Sequence, residues 1–326
     1  MKDCIMAAFK ICLTDNISND AVKLLQRKGF AAELVETLPE AELAKVIGEY
    51  DAMAIRSATK ITLAVLENSG RLKIIVRGGV GIDNIDVAAA TAKNVAVANT
   101  PGANTIATAE LTFGLMLAMA RNIATGYVSL SAGEWDRALF RGVELAGKTL
   151  GLLGFGRIGR EVAKRAQAFG MTVLAFDPYL PEDVFKKIGV KQVNLEAIWT
   201  AADFISLHLP VTDETKRIIN QDAIEKMKSG VRLINAARGG LIDDVALAEA
   251  LDAGKVAGIA LDVYPSEPPA PDYPLLNKKG VLHVPHLGAS SFEAQGKVAS
   301  EIATVIADFL NYGSGNSIVN LKEIKV

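Results

Sequence analysis

The chain is poor in the residues that build disulfide frameworks and most metal sites. Among its 326 residues it has two cysteines, Cys4 and Cys12, and three histidines. Two cysteines cannot form the disulfide framework of a small secreted domain or a four-cysteine zinc site. Both lie in or beside the first apolar segment, so we expect buried thiols in a reducing compartment. We therefore predict no metal site and a cytoplasmic location.

Excess charge and long apolar runs are also missing. The 35 Lys and Arg nearly balance the 37 Asp and Glu, so no basic surplus indicates nucleic acid as a partner. Lys10 interrupts the first apolar run, which argues against a signal peptide. The most apolar later stretch, Ile106 to Ile123, carries Glu110 and has helical spacing, so we expect no membrane span. The length suggests about two domains.

Short apolar runs alternate with helical patterns along the whole chain. Most runs are continuous, as in strands that are buried on both faces of a parallel sheet. The predicted strands are Lys10–Leu13, Asp51–Ile55, Leu72–Val76, Val95–Ala98, Thr149–Leu153, Thr172–Phe176, Phe204–Leu209, Val231–Asn235, Gly258–Asp262 and Val281–Val284. Helical patterns of crossover length separate most of them, which predicts an α/β protein with parallel sheets.

A long helical segment at 103–123 separates two sets of strands. Its predicted apolar stripe consists of Leu111, Leu115, Met119 and Ile123. The turn at 99–102 precedes this helix and marks a domain boundary. A last helical pattern, Phe292 to Tyr312, has no strand after it, and we expect it to return to the first domain. That domain would then be discontinuous.

The strongest local motif is a glycine-rich turn between a strand and a helix. Gly154, Gly156 and Gly159 follow an apolar strand, and the next strand ends at Asp177. In this setting the first glycine allows a tight turn, the second lets the backbone approach a pyrophosphate, and the third lets helix pack on strand. The helix N-terminus offers N–H groups to the phosphates. A carboxylate 18 residues after Gly159 accepts hydrogen bonds from the ribose hydroxyls. The motif predicts a dinucleotide site.

A proton donor is needed if the dinucleotide delivers hydride to a ketone, and histidine suits that task near neutral pH. His208 lies at the end of a predicted strand, and we interpret it as a packed or cofactor-lining residue. His283 lies inside the last strand, and we interpret it as structural. His286 stands in a turn-rich sequence at the end of that strand and is the best candidate of the three. A packed core histidine is the alternative for it.

Two further polar residues follow strand ends downstream of the glycine motif. Arg238 comes after the strand at 231–235, where a guanidinium fork suits a carboxylate; a solvated surface arginine is the alternative. Glu267 stands in a proline-stiffened loop, and taken alone it would be an exposed loop acid. Because an open parallel sheet gathers its site at the carboxyl ends of its strands, we expect Arg238, Glu267 and His286 to contribute to one site.

Four motifs, in order along nearly the whole chain, resemble the D-isomer-specific 2-hydroxyacid dehydrogenase family. They are the run from Leu150 to Gly159, Asn235-Ala-Ala-Arg-Gly-Gly-Leu-Ile-Asp, Leu261-Asp-Val-Tyr-Pro-Ser-Glu-Pro and Pro285-His-Leu-Gly-Ala-Ser. Within the family, the phosphoglycerate dehydrogenases are most similar in Ile55-Arg-Ser-Ala-Thr-Lys-Ile-Thr, Arg77-Gly-Gly-Val-Gly-Ile-Asp, Asn99-Thr-Pro-Gly-Ala-Asn-Thr and Gly133-Glu-Trp-Asp-Arg. Longer members carry a C-terminal regulatory domain, and because the sequence stops at Val326 we expect none here.

The resemblance implies a Rossmann-like NAD-binding domain over 101–289, inserted into a flavodoxin-like substrate domain over 1–100 and 290–326. It implies a homodimer formed through the NAD-binding domains. It also implies that Arg238 grips the substrate carboxylate and carbonyl and that His286 is the acid/base. Glu267 would hydrogen-bond His286 and favour its protonated form.

The resemblance further implies two sets of binding residues. The implied NAD-binding residues are Gly154, Gly156, Arg157, Ile158, Gly159, Asp177, Pro210, Ala236, Ala237, Asp262 and Gly288. The implied substrate-binding residues are Arg56, Ser57, Arg77, Gly79, Val80, Gly81, Asn104 and Arg137. The backbone amides near Gly79 to Gly81 would bind the substrate carboxylate, and Arg137 would reach across the dimer.

The predicted reaction is hydride transfer between NAD and a D-2-hydroxy acid, with the 3-phosphoglycerate and 3-phosphohydroxypyruvate pair of serine biosynthesis favoured. A hydroxypyruvate or glyoxylate reductase, or a dehydrogenase of another acidic 2-hydroxy acid such as a sulfonate, would share the fold and the catalytic residues. A nucleotide-sensing corepressor is the remote alternative, and such proteins often have a long disordered tail that this sequence lacks.

Overall fold

The computed structural model describes residues 9–315 and 317–325, which divide into two compact units. The first unit comprises the described residues up to Asn104 together with those from Ala289 onward. The second unit runs from Thr105 to Gly288. Each is built around a parallel β-sheet, which confirms the predicted α/β class. Within the described ranges, no helix combines the length and the apolar character that crossing a membrane requires.

The predicted strands all form, with ends that differ from the prediction by no more than two residues. The described strands are β1 (Lys10–Leu13), β2 (Ala31–Leu34), β3 (Ala52–Ile55), β4 (Ile74–Arg77), β5 (Ala96–Asn99), β6 (Thr149–Leu153), β7 (Thr172–Phe176), β8 (Lys191–Gln192), β9 (Phe204–Leu207), β10 (Val231–Asn235), β11 (Val256–Leu261) and β12 (Val281–His283). The described helices are α1 (Asn19–Arg27), α2 (Glu40–Val46), α3 (Leu63–Leu66), α4 (Val87–Ala92), α5 (Thr105–Ala120), α6 (Ile123–Ser131), α7 (Arg157–Ala168), α8 (Glu182–Lys186), α9 (Leu195–Ala201), α10 (Gln221–Lys226), α11 (Asp244–Asp252) and α12 (Phe292–Tyr312). Short 3₁₀ helices span Ile47–Glu49, Arg137–Phe140 and Gly239–Leu241.

The sheet of the first unit has the strand order β2-β1-β3-β4-β5, with all pairs parallel. This is the flavodoxin-like order, and it reverses direction between β1 and β3. In open α/β sheets, ligands bind outside the carboxyl ends of the strands at such a reversal. The segments that follow β1 and β3 are therefore the places in this unit where binding residues are expected.

The sheet of the second unit has the strand order β12-β11-β10-β9-β6-β7-β8, again parallel throughout. From β8 to β11 this is the order of the dinucleotide-binding Rossmann fold, with β12 added at the edge. Its reversal lies between β6 and β9. The glycine-rich turn follows β6, so the predicted dinucleotide motif stands at the reversal point of its sheet.

Both faces of the first sheet are buried, which explains the continuous apolar runs in its strands. In β4, Ile74 and Val76 belong to the core that packs with α1 and α12. Ile75, between them, belongs to the opposite core with α3 and α4. Because successive strand residues point to opposite faces, a strand that is covered on both sides must be apolar at every position.

Two strands at sheet edges were not predicted from the sequence. β2 has no β-branched residue and buries only one of its four side chains, and β8 consists of two polar residues. Strand propensity depends largely on packing against residues of the neighbouring strand, and those residues are distant in the sequence. Pairing with β1 and β7 creates both strands.

The prediction of one helix over 103–123 is wrong at its C-terminal end. α5 ends at Ala120 and α6 begins at Ile123, because Asn122 adopts the left-handed conformation with φ 53°. The Ala120 carbonyl accepts a 2.8 Å hydrogen bond from the Val143 N–H, so a distant segment closes the helix. The predicted stripe is divided as a result: Leu115 is buried, and Ile123 is 57% exposed.

Candidate active site

In the glycine-rich turn, two of the three glycines have no room for a side chain, and the third has open space beside it. Gly154 has φ 93°, and a Cβ there would lie 2.4 Å from the His208 carbonyl oxygen. A Cβ on Gly159 would lie 2.4 Å from the Gly154 carbonyl oxygen. At Gly156, the N-cap of α7, a Cβ would meet nothing within 4 Å. The fold thus requires the outer two glycines, and the space beside the middle one fits a pyrophosphate at a helix N-terminus.

Asp177 follows β7 and is held beside this turn. Its Oδ2 accepts a 3.0 Å hydrogen bond from the Phe155 N–H, and its Oδ1 accepts a 3.1 Å bond from the Tyr179 N–H. Each carboxylate oxygen can accept a further hydrogen bond. The carboxylate is therefore oriented before any ribose hydroxyl arrives.

His208 comes directly after β9 and packs against the glycine-rich turn. Its Nε2 lies 3.0 Å from the Ser206 Oγ, and its ring packs toward Gly159. Burial lowers the pKa of His208 to about 4. The imidazole is therefore neutral near pH 7, which fits the interpretation of a packed histidine next to the cofactor turn and not that of a proton donor.

The loop that carries Arg238 is organised by Asn235, a residue that the sequence analysis did not single out. Asn235 ends β10 and is 1% exposed. Its Nδ2 donates to the Arg238 carbonyl at 2.8 Å, and its Oδ1 accepts from the Ala237 N–H at 3.1 Å. Arg238 itself is half-buried, and its Nη1 donates to the Ala237 carbonyl at 2.5 Å. Only its position at a strand end could have indicated the role of Asn235.

Glu267 and His286 lie together although 19 residues separate them in the chain. The Glu267 Oε2 lies 2.6 Å from the His286 Nδ1, and its Oε1 accepts from the Tyr264 N–H at 3.3 Å. Burial alone would raise the pKa of Glu267, but the hydrogen bond and charge of His286 outweigh it and hold that pKa below its usual range. The pair leaves the His286 Nε2 available to exchange a proton.

The backbone of His286 is strained and is held in place by buried partners. His286 has φ 52°, which for a non-glycine residue costs on the order of 1 kcal/mol or more. The fully buried Asp262 accepts hydrogen bonds from the Leu287 N–H at 2.5 Å and the Gly288 N–H at 2.9 Å. Thr108 donates to the Gly288 carbonyl at 2.9 Å. Burial raises the pKa of Asp262, and the two N–H groups and His286 oppose that rise.

The predicted substrate-binding residues other than Arg137 belong to the first unit. Arg56 and Ser57 follow β3, Arg77 ends β4, and positions 79–81 form the next loop. Thr100 donates its N–H to the Gly79 carbonyl at 3.0 Å. The Thr100 Oγ1 and the Asn104 Oδ1 are buried and have no hydrogen-bond partner among the described residues, which makes both atoms candidates to contact a polar ligand. Thr100 was not predicted.

Arg137 lies in the second unit, exposed on the 3₁₀ helix at 137–140. The remaining predicted NAD-binding residues lie in the same unit, each within a few residues of the end of a strand. Arg157 and Ile158 begin α7, Pro210 follows His208, and Ala236 and Ala237 follow β10. The second unit thus brings together a dinucleotide turn, a carboxylate–imidazole pair and a nearby arginine loop, which defines a class of nucleotide-dependent α/β enzymes.

Comparison with known proteins gives the family. Residues 113–288 match the family described as D-isomer specific 2-hydroxyacid dehydrogenase, NAD binding domain. The chain is 47% identical over 303 residues to a hydroxypyruvate reductase from Thermotoga maritima, covering 92% of this chain and 98% of that one. The chain belongs to the D-isomer specific 2-hydroxyacid dehydrogenase family, and its second unit is the NAD-binding domain.

Two further comparisons extend the match. A D-3-phosphoglycerate dehydrogenase from Methanocaldococcus jannaschii is 47% identical over 316 residues, which cover 97% of this chain and 60% of that protein. The chain thus spans only part of the length of that relative. A solved glyoxylate reductase from Paecilomyes thermophila superposes with a TM-score of 0.88 at 31% identity, covering 97% of this chain and 100% of that one.

Proposed function

We propose that the protein is an NAD-dependent oxidoreductase that transfers hydride between a D-2-hydroxy acid and its 2-keto acid. The observation that carries the proposal is the 2.6 Å contact between Glu267 and His286 in a unit that belongs to an NAD-binding family. A ketone that accepts hydride develops alkoxide charge and needs a proton. A histidine that is oriented by a carboxylate partner is a suitable donor near neutral pH.

The cofactor, when bound, supplies or accepts the hydride. Gly156 and the start of α7 would hold its pyrophosphate, and Asp177 would accept hydrogen bonds from its adenosine ribose. An extra 2′-phosphate beside the Asp177 carboxylate would be opposed by like charge, at a cost of several kcal/mol. We therefore expect NAD to be preferred over NADP.

The substrate would be held at both ends by charged or polar groups. Arg238 would grip the carboxylate and the carbonyl through its guanidinium fork. We assign the favoured pair 3-phosphoglycerate and 3-phosphohydroxypyruvate because Arg56, Ser57, Arg77 and Arg137 supply cations and a hydroxyl for a distal phosphate, and because phosphoglycerate dehydrogenases are among the relatives.

A hydroxypyruvate or glyoxylate reductase is the second candidate. The Thermotoga maritima relative carries the first of these names and matches this chain over nearly its whole length. Both reactions use the same carboxylate and carbonyl contacts and differ only at the distal end of the substrate. An apolar or neutral distal pocket would favour the unphosphorylated acid.

A substrate panel tests these assignments. The purified protein would be assayed with phosphohydroxypyruvate, hydroxypyruvate and glyoxylate, each with NADH and with NADPH. The proposal expects the highest kcat/KM for phosphohydroxypyruvate with NADH. A higher kcat/KM for hydroxypyruvate or glyoxylate would make the reductase the function. Equal values with NADPH would contradict the role of Asp177, and no turnover with any 2-keto acid would favour the corepressor alternative.

We also propose a homodimer that forms through the second unit. Six large apolar side chains on α6 and the segment after it are 57–77% exposed: Ile123, Tyr127, Val128, Leu130, Trp135 and Leu139. We call this set the α6 patch. Apolar side chains clustered in this way mark an interaction surface more often than a surface that stays in water.

A further inference from the structure

The loop at 56–59 occupies the reversal point of the first sheet. It follows β3, and the segment that begins with Thr14 and Asp15 follows the neighbouring β1. Ser57 and Ala58 at the middle of the loop are exposed, whereas Thr59 is 2% exposed. A surface loop that binds a ligand needs a fixed shape, and two neighbouring side chains, Asp15 and Asn84, bond the backbone of this loop.

Asp15 binds the loop through its N–H groups. Its Oδ2 accepts hydrogen bonds from the Arg56 N–H at 2.7 Å and the Thr59 N–H at 3.0 Å. Its Oδ1 accepts from the hydroxyls of Thr59 at 2.6 Å and Thr37 at 2.8 Å. Asp15 is 7% exposed and has φ 58°, a conformation that an isolated aspartate rarely adopts. Each donor that moves away leaves part of a buried carboxylate without a hydrogen bond, which costs free energy, so the carboxylate holds its four donors together.

Asn84 binds the same two residues through their carbonyls. Its Nδ2 donates to the Arg56 carbonyl at 2.7 Å and to the Thr59 carbonyl at 2.6 Å. The backbone of Asn84 is itself anchored, since its carbonyl accepts a 2.8 Å hydrogen bond from the Ile61 N–H. The N–H and the C=O of both Arg56 and Thr59 are therefore bonded by two side chains.

The charge of Asp15 also acts on Arg56. Burial lowers the pKa of the Arg56 guanidinium, and the Asp15 carboxylate opposes this effect. Arginine keeps its proton in either case. The Asp15 carboxylate thus offsets part of the desolvation cost of the half-buried Arg56 guanidinium at the start of the loop.

We propose that Asp15 and Asn84 are positioning residues that set specificity for the distal group of the substrate. They hold the 56–59 loop in the one shape that directs Arg56 and Ser57 toward an anionic distal group such as a phosphate monoester. This inference rests on the proposed function, in which those two residues bind that group. Neither Asp15 nor Asn84 touches the substrate or the cofactor in this assignment.

The test compares Asp15→Asn and Asn84→Ala with Asp51→Asn. Asp51 is a matched control because it is also a buried carboxylate of the first unit, bonded to the Lys10 N–H and the Arg71 guanidinium. Asp51 precedes β3, so it lies at the amino ends of the parallel strands, whereas the 56–59 loop lies at their carboxyl ends. Steady-state kcat and KM would be measured with phosphohydroxypyruvate and with hydroxypyruvate, and thermal unfolding would be followed for each variant.

We expect kcat/KM for phosphohydroxypyruvate to fall by about 10- to 100-fold in Asp15→Asn and in Asn84→Ala, mostly because KM rises. This is the size of the effect of one lost charge-assisted contact. Hydroxypyruvate use should change by no more than about threefold, and Asp51→Asn should keep the wild-type ratio of the two substrates even if its Tm falls. In an Arg56→Ala background, Asp15→Asn should cost little further on the phosphorylated substrate. Asn84→Ala provides the same readout if Asp15→Asn does not fold.

Three results would overturn the inference in distinguishable ways. Loop variants that keep the wild-type substrate ratio would show that Asp15 and Asn84 only stabilise the fold, and the proposed function would stand. The same conclusion would follow if Asp51→Asn lowered the ratio of kcat/KM for phosphohydroxypyruvate to that for hydroxypyruvate as much as the loop variants did. A wild-type protein with no preference for the phosphorylated acid would overturn the proposed function and this inference together.

Discussion

At the scale of single residues, the proposed chemistry depends on His286 and its carboxylate partner. His286→Asn removes the titrating group, and we expect kcat to fall by about 10² to 10⁴, the usual contribution of a positioned acid or base. NADH binding, measured by fluorescence titration, should change little. His283→Asn is the matched control, because the His283 Nε2 is 3.0 Å from the Leu275 carbonyl and lies in the strand, not in the loop. Wild-type kcat in His286→Asn would contradict the assignment.

The carboxylate partner of His286 should also affect the rate. Burial would raise the pKa of Glu267, but the contact with His286, 2.6 Å from the Glu267 Oε2 to the His286 Nδ1, holds that pKa below its usual range. Glu267 is therefore ionised near neutral pH, and its contribution is lost only as the pH falls through that lowered pKa. Glu267→Gln keeps the shape of the side chain and removes its charge, so we expect kcat to fall by about tenfold or more, the size of one lost charge-assisted hydrogen bond. Wild-type kcat in Glu267→Gln would mean that Glu267 does not act on the donor.

At the scale of elements, different glycines of the glycine-rich turn are needed for stability and for cofactor binding. Gly154→Ala and Gly159→Ala would each place a Cβ 2.4 Å from a backbone carbonyl oxygen, so both should lower the free energy of unfolding by about 1–3 kcal/mol or more. Gly156→Ala has open space, so its stability should stay within about 0.5 kcal/mol of the wild type. It should nonetheless weaken NADH binding by about tenfold or more, because its Cβ would occupy the place of the pyrophosphate.

Urea unfolding and NADH titration on the same three variants check this division. A Gly156→Ala protein with wild-type affinity for NADH would place the pyrophosphate elsewhere. A Gly156→Ala protein as unstable as Gly154→Ala would instead mean that folding also requires glycine at position 156.

At the scale of the whole molecule, the α6 patch predicts the assembly. Light scattering at assay concentration should give a particle of twice the chain mass of 34.5 kDa. Val128→Glu would bury an unpaired charge at the interface, and we expect it to shift the protein toward the monomer. Phe292→Glu is the matched control, since Phe292 is 94% exposed and lies outside the patch. A wild-type monomer would rule out the dimer.

The dimer makes a second prediction about Arg137. If this residue serves the partner's site, a mixed dimer of Arg137→Ala and His286→Asn chains has one complete site. Mixing the two variants and allowing subunit exchange should then raise kcat/KM for phosphohydroxypyruvate above the mean of the two separate preparations. No rise, with exchange verified by differently tagged chains, would place Arg137 in its own chain's site or outside both.

Much of the molecule could be predicted because its signals are local. The apolar runs of the buried strands, the glycine turn with its flanking strand and helix, and Asp177 at the next strand end are each written within a few dozen residues. Strand ends in a parallel sheet share one edge, so the positions of Arg238, Glu267 and His286 also followed from the order of elements. The short polar edge strands and the break at Asn122 did not follow, because distant segments create them.

Contacts between distant residues depend on the tertiary structure. The local sequence around Glu267 indicates only an exposed loop acid, and without the family resemblance nothing in it predicts the 2.6 Å contact with His286. Thr108 likewise donates to Gly288 across 180 positions of the chain. Asp15 and Asn84 carry no motif, yet both bind the backbone of Arg56 and Thr59. Hydrophobic periodicity and turn chemistry report on near neighbours, whereas a hydrogen bond across the fold depends on where two loops end after the sheets have formed.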